Sequence, residues 1–461
     1  MSEHVGYIVK INELNPHSNA DRLQIATIFG ASVIVGLDVK VGDLGVYFPI
    51  DLQLSEEYCA QNNLVRKKDE NGNNIGGYLE PDKRNIRAMK LRGEKSEGLF
   101  MPLESLAYTG ETKFEVGEKI DVLNGHEICR KYIPKGNSGV SYTKDGNRTR
   151  KRSVPIAPLF AEHADTEQLA YNLDAFKPGD MIDITLKMHG TSGRTGYLPK
   201  FQGYKRTFWD KILRRPGTPI YDWGYVTGTR RVVLNDFEDG GYYGSNAFRE
   251  PHAKFFEGKL HKGETVYYEI VGFTHEGAPI MASVANSKIS DKEFTKQYGK
   301  ETVFSYGCDP KGTPTMINGA GETVCEASPQ SACYVYRMTM TNEDGDVVEY
   351  TPDFMRYRCE QMGAKCVMPF FDGCIPDTTL LESFGMTAGE WIKEKAEEFY
   401  DGPDPIGKTH VREGVVIRIV NRPKFCAFKH KNFSFKVLEG IAKDLAAEPD
   451  MEEAQEVQDD V

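Results

Sequence analysis

Short stretches in which apolar and polar residues alternate, or in which β-branched residues run on, recur through the first hundred residues. "YIVKI", "LQIATIFG", "SVIVG" and "LGVYFPI" are such stretches, divided by Pro16, Gly30, Gly42 and Gly45. Period-two patterns bounded by turn residues predict strands, and a tight series of short strands predicts a small barrel over residues 1–105. Residues 106–160 are rich in Gly, Ser and Asn, including "PKGNSGVSYTKDGNRTRKRS", and read as a linker. From 161 to 440 strand-like runs return as "MIDITLK", "TVYYEIVGF", "ACYVYRMTMT", "GVVIRIV" and "KFCAFKH". One helix is announced by Thr387 and Glu390 as a capping box. Trp391, Ile392, Ala396, Phe399 and Tyr400 form its apolar face, and Gly402 with Pro403 ends it.

Strands mixed with helices, without regular βαβ spacing, predict an α+β class rather than a doubly wound sheet. Neither GxGxxG nor GxxxxGK[ST] occurs, which argues against a dinucleotide fold or a P-loop. Composition adds limits. The chain of 461 residues is 39% hydrophobic and 27% charged, ordinary for a soluble protein. Its apolar runs are too short to span a bilayer, and "MSEHVGYIVKINEL" lacks a signal-peptide pattern, so a cytoplasmic protein without a membrane partner is expected. Nine scattered cysteines without a CxxC pair suit a reducing compartment and predict no structural zinc. A net charge of −11 argues against holding nucleic acid by bulk electrostatics but leaves room for local basic surfaces. Residues 441–461 read as an acidic tail, and the basic cluster "NRTRKRS" at 147–153 reads equally as linker or phosphate contact.

Charged residues sit inside or at the ends of several strand-like runs: Lys187, Glu269, Glu413, Arg418, Lys429 and Lys431. Each alone has a bland explanation as a solvated strand face. Together they supply a nucleophile, two acids and a pair of cations. Lys429 and Lys431, two residues apart, share a strand face and can meet one anion.

On these residues the chain resembles the covalent nucleotidyltransferases. Lys187-Met188-His189-Gly190-Thr191 is similar to the KxHG form of motif I. "VTGTRR" (226–231), "YYEIVG" (267–272), "YVYRM" (334–338), "EGVVIR" (413–418) and "FKHKN" (428–432) resemble motifs Ia, III, IIIa, IV and V, in the family's order. His189 within motif I favours the RNA ligase 2-like branch. The resemblance implies an ATP-grasp-like ligase domain of antiparallel sheets flanked by helices. It implies ATP and Mg²⁺ or Mn²⁺ as cofactors, and a three-step reaction through a lysyl-AMP intermediate and an adenylylated RNA 5′-phosphate. Lys187 would take the AMP, and Arg230 would contact the nucleotide or the 5′-phosphate. Glu269 would bind ribose or a metal-bound water, Tyr336 would stack on adenine, and Glu413 would help hold the metal. Lys429 and Lys431 would bind phosphates; His189 and Thr191 would position nucleotide and substrate phosphate, with Gly190 letting phosphate come close. Leu186 stands where this branch usually has Glu. The chemistry is coherent, since an ordinary lysine with a pKa of about 10.4 cannot attack near neutrality without cations, metal or desolvation.

The N-terminal segments "PHSNADRLQIA" and "LRGEKSEGL" are similar to tRNA-binding OB domains and to the N-terminal OB domain of one RNA-ligase subgroup. There Arg22, Arg87, Lys90, Arg92 and Lys95 are candidates for a groove along an RNA backbone. The expected partner is RNA with 3′-OH and 5′-phosphate ends, as a nicked duplex or an RNA:DNA hybrid, met by a monomer in a bacterial cell or a virus-infected cytoplasm. An mRNA guanylyltransferase and a non-catalytic RNA-binding factor remain as alternatives.

Overall fold

Alternation becomes pairing in the computed structural model of the chain, which describes residues 4–68, 74–133, 155–213, 217–234, 237, 245–289, 291–314, 316–317, 323–325 and 328–445. The basic cluster 147–153 and most of the acidic tail lie outside the described residues. The chain divides into two units, one of residues 1–137, 287–292 and 433–461, the other of 138–286 and 293–432.

The first unit begins with β1 (Gly6–Lys10), β2 (Leu14–Pro16), β3 (Leu23–Ile28), β4 (Ala31–Gly36) and β5 (Leu44–Phe48). The hairpin β6 (Ala88–Leu91) and β7 (Glu94–Glu97) follows, then β8 (Leu99–Pro102) and β9 (Lys119–Ile120). A four-stranded sheet runs β8-β5-β1-β9, and β2-β3-β4 form a three-stranded sheet. Among the described residues these ladders stay separate sheets and do not close into one barrel. The stretch read as the start of a linker does more than connect: β9 pairs with β1, and Leu106, Ile120 and Ile128 are fully enclosed in the core with Ile8, Val46, Phe48 and Leu54. Their apolar positions are too sparse to show a period, which hides them from pattern reading.

The second unit holds two large, mostly antiparallel sheets. The first has five strands: β10 (Glu167–Gln168), β11 (Met181–Lys187), β18 (Pro369–Cys374), β19 (Gly414–Ile419) and β20 (Ala427–Lys431), ordered β10-β20-β19-β11-β18, with only β10–β20 parallel. The other has six: β12 (Thr191–Lys205), β13 (Thr218–Gly228), β14 (Val233–Leu234), β15 (Glu264–Gly272), β16 (Ser331–Thr341) and β17 (Val347–Glu349), ordered β14-β13-β12-β15-β16-β17. Helices of this unit include α1 (Phe208–Ile212), α2 (Glu250–Phe255), α3 (Pro352–Met362) and α4 (Ala388–Glu397). The capping box expected at Thr387 and Glu390 is present and starts α4.

Each sheet buries one face against helices. Ile182, Ile184, Val415 and Ile417 pack on Ala388, Ile392 and Ala396, which recur every four residues along α4. Leu186 follows Ile182 and Ile184 on that side of β11 and is 1% exposed. A carboxylate there would be buried in an apolar layer, so leucine suits the position. In the other sheet Val266, Tyr268 and Ile270 face Phe256, Met355, Cys359 and Met362. Arg358 of α3 meets Glu264 at 2.7 Å, and Tyr350 donates to the same carboxylate at 3.0 Å. The opposite faces of both sheets carry the polar residues. No helix among the described residues is long and apolar enough to cross a membrane.

The last described helix, α5 (Phe433–Leu445), belongs to the first unit. Its Lys436 meets Glu97 of β7 at 2.5 Å, and Lys95 lies over the Phe433 ring at 5.0 Å.

Candidate active site

The turn after Lys187 does not fold back as a hairpin. Strand β11 ends at Lys187 in the five-stranded sheet, and β12 begins at Thr191 in the six-stranded one. Met188, His189 and Gly190 therefore carry the chain from one sheet to the other. Gly193 lies in β12, where an added Cβ would come within 2.4 Å of the Tyr268 ring. Gly190 is required for a similar reason. A Cβ there would stand 2.4 Å from the Ile270 carbonyl oxygen and 2.9 Å from Cγ of Glu269. Its small size lets β15 pass close by.

Register places the charged residues in rows. Lys187 opposes Gly414 of β19, and Gly414 opposes Lys431 of β20. Lys429, two residues back on the same strand face, opposes Val416. Strand β19 is thus internal to the sheet, not an edge. Gly414 has φ of +151°, and a Cβ would lie 2.1 Å from the His430 carbonyl oxygen, so the strands close tightly where Glu413 enters.

Glu413, 2% exposed, is the centre of the cluster. Its Oε1 is 2.8 Å from Nζ of Lys187 and 3.5 Å from Nζ of Lys431, and its Oε2 is 3.9 Å from Nδ1 of His189. Two lysines thus share one buried carboxylate, which holds their charges side by side. The His189 ring meets Phe304 edge-on at 4.6 Å, and the His189 amide donates to the Tyr306 hydroxyl at 2.7 Å. Tyr306 in turn packs edge-on against His410 at 4.6 Å. Burial raises the Tyr306 hydroxyl well above its ordinary pKa, with Asp404 and Glu413 adding to the effect.

Across the junction, the polar face of the six-stranded sheet carries Ser192, Glu269 and Tyr336. Ser192 opposes Glu269 in the ladder, and its Oγ donates to Oε2 of Glu269 at 3.4 Å. The hydroxyl of the half-buried Tyr336 lies 3.2 Å from Nδ1 of His163, with the two rings edge-on at 5.5 Å. Burial drives the His163 pKa down to about 3, helped by Arg230 and Arg337. The neutral imidazole shares a hydrogen bond with the Tyr336 hydroxyl. Arg230 and Arg231 both pair with Asp165, the latter at 3.6 Å. Burial pushes the Asp165 carboxyl up, but the charge and hydrogen bond of Arg230 outweigh it and leave it below the usual range.

Lys187, His189 and Lys431 are thus all within range of Glu413, and Glu269 and Tyr336 line the sheet that β12 enters at Thr191. Thr191 is placed otherwise. It opposes Ile270 on the packed side, is 5% exposed, and its hydroxyl accepts from Nη2 of Arg249 at 2.6 Å. Alternation along β12 puts Ser192, not Thr191, on the polar face. Ser192, Arg249 and Tyr306 were not picked out by sequence. The parity of β12 could have found Ser192, whereas Arg249 and Tyr306 come from segments with no periodic signal.

In the first unit Lys90 and Lys95 stand opposite each other in the β6–β7 ladder. Lys90 pairs with Asp291 at 2.5 Å, Lys95 lies over Phe433, and the Arg87 side chain is within 4.0 Å of where a Cβ on Gly440 would stand. Arg22 and Arg92 are exposed. The His17 ring lies 3.1 Å from the Leu91 carbonyl and Asn19 donates to the Arg92 carbonyl at 3.4 Å, which ties the loop leading to Arg22 to the β6–β7 turn.

For a divalent ion the site offers hard oxygen donors, Glu413 from one sheet and Glu269 from the other. No cluster of three or more His, Cys, Asp or Glu side chains suited to a metal occurs among the described residues. Such a donor set fits an ion that arrives with phosphate oxygens as its other ligands.

Comparison with known proteins supports the architecture. A family model described as an OB-fold domain matches residues 5–103. Solved structures of a Naegleria gruberi RNA ligase share the fold over nearly the whole chain. A variant with ATP and Mn aligns at TM-score 0.54 and 16% identity, over 94% of this chain and 98% of that one. A variant without ligand gives TM-score 0.55 and 16% identity over 94% and 98%. The same ligase with pyrophosphate gives 0.52 and 15% identity over 94% and 98%. The chain therefore has an N-terminal OB-fold domain followed by a mostly antiparallel sheet domain with helices, matching the fold of an RNA ligase.

Proposed function

We propose that the protein is an ATP-dependent RNA ligase that joins a 3′-OH to a 5′-phosphate through adenylylated Lys187. The observation that carries this reading is the convergence of Lys187, Lys431 and His189 on the buried Glu413, at the crossing between two sheets. The fold it shares with RNA ligases solved with ATP, AMP and Mn supports the same reading.

In the first step Nζ of Lys187 gives up a proton and forms a P–N bond to the α-phosphorus of ATP as the bond to pyrophosphate breaks. Glu413 Oε1, 2.8 Å away, holds the amine in place and accepts its hydrogen bond. Lys431 and Lys429 place positive charge along one strand face for the phosphates, so the work is mainly positioning and electrostatics. In the second step an oxygen of the RNA 5′-phosphate attacks the same phosphorus, the P–N bond breaks, and Lys187 recovers its proton. In the third the RNA 3′-OH attacks the 5′-phosphate and AMP leaves. A divalent ion held through Glu413 and Glu269 would supply charge neutralisation at the phosphates. Tyr336, fixed through His163, offers a ring beside Ser192 and Glu269 for the nucleobase.

Incubation with α-labelled ATP and Mg²⁺ or Mn²⁺, followed by denaturation, tests the first step. Label is expected on the wild type and lost in Lys187→Ala. Label from GTP alone would point to capping chemistry, and no label from either nucleotide would overturn the reading.

A further inference from the structure

The long hairpin of β12 and β13 reaches past its sheet. Strand β12 pairs with β15 only as far as Gly196, whereas its ladder with β13 continues from Arg194 to Lys205. One face of the extension carries cross-strand pairs: Tyr197 opposite Tyr225, Pro199 opposite Trp223 and Phe201 opposite Tyr221. Tyr197 and Tyr225 stack at 4.7 Å, and Phe201 meets Tyr204 edge-on at 5.1 Å.

At the outer end sits α1, started by a capping box in which Asp210 accepts from the Thr207 amide at 2.9 Å and from its hydroxyl at 2.7 Å. This helix buries almost nothing. Phe208 is 71% exposed, Trp209 67%, Ile212 55% and Leu213 54%. Between 203 and 213 the sequence places Lys205, Arg206 and Lys211 beside a single acid, the capping Asp210, in a chain whose net charge is −11. Lys205 and Arg206 are exposed next to the aromatic pair. A contiguous exposed apolar patch calls for a partner, and the reversed local charge selects an anionic one. Aromatic rings interleaved with cations on a projecting element match a nucleic-acid strand, with bases on the rings and phosphates on the cations.

We infer that the tip of the β12–β13 hairpin, with Phe208, Trp209, Lys205 and Arg206, is a binding surface for an RNA strand. The inference rests on the ligase reading for the identity of the nucleic acid and assigns the substrate a contact outside the Lys187 cluster. A helix of five residues is too short to lie as an amphipathic anchor in a lipid interface, which sets RNA ahead of a membrane surface.

The full chain, as wild type, as Phe208→Ala/Trp209→Ala and as Lys205→Ala/Arg206→Ala, is titrated into fluorescent nicked duplex RNA without ATP, at two salt concentrations. The aromatic pair is expected to weaken binding by about tenfold or more, as loss of base stacking does. The basic pair is expected to weaken it and to flatten the salt dependence. Both variants should keep the wild-type thermal midpoint and accept label from ATP within about twofold, since a shift of that size is near measurement error. RNA affinity within twofold of wild type in both variants would overturn the inference. So would binding to phosphatidylserine vesicles that both variants lose while RNA binding stays. RNA binding that depends on the tip in a protein that takes no label from ATP would uphold the surface and defeat the ligase reading instead.

Discussion

At the scale of single residues, the cluster works because side chains two positions apart fall on one face. That rule made Lys429 and Lys431 legible in the sequence, and it holds in the register of β19 and β20. The same alternation decides which residues at the start of β12 face inward. Thr191 was assigned to the site from its place in a motif, yet alternation along β12 turns it inward to Arg249 and presents Ser192. His163 has no sequence signal, because what matters about it is burial beside Arg230 and Arg337. Its folded pKa of about 3 lies below the ordinary histidine value, so between those two pH values only the unfolded chain binds the proton. Stability is therefore lost as pH falls below about 6.5, by at most about 1.4 kcal/mol per unit, and this group contributes no pH dependence above that value. Melting temperatures from pH 7 to 5 should fall more steeply for wild type than for His163→Gln, which keeps a hydrogen-bonding group beside Tyr336. Parallel curves would show that the ring is protonated in the fold.

At the scale of elements, the strand before Lys187 was plain from its apolar run, and α4 from its capping box. The destination of the next strand was not, because pairing partners are set by contacts distant in sequence. Gly190 is where this shows. Its lack of a side chain lets β15 pass against the crossing, with the Ile270 carbonyl where a Cβ would be. Gly190→Ala is expected to cost about 1–3 kcal/mol, as overpacking does, and to displace His189 from the Tyr306 hydroxyl. A lowered melting temperature together with weaker labelling by ATP is the expected result. An unchanged melting temperature would mean that the crossing relaxes freely.

At the scale of the whole molecule, composition had little to say. A net charge of −11 hides both the lysine row and the basic hairpin tip, which are local features of an acidic chain. Domain limits were only partly readable, since the first unit gathers three separate stretches of chain, the last of them α5. Apolar period marks individual strands but carries no record of which distant segments join one core. The whole proposed reaction passes through one covalent bond, from Nζ of Lys187 to AMP. It is tested most directly by allowing the wild type to react with ATP and a divalent metal, then digesting it and locating the adduct by mass spectrometry. One AMP on the peptide containing Lys187, released by acid as a phosphoramidate should be, is the expected result. AMP on a peptide carrying Lys429 or Lys431 instead, or no adduct at all, would contradict it.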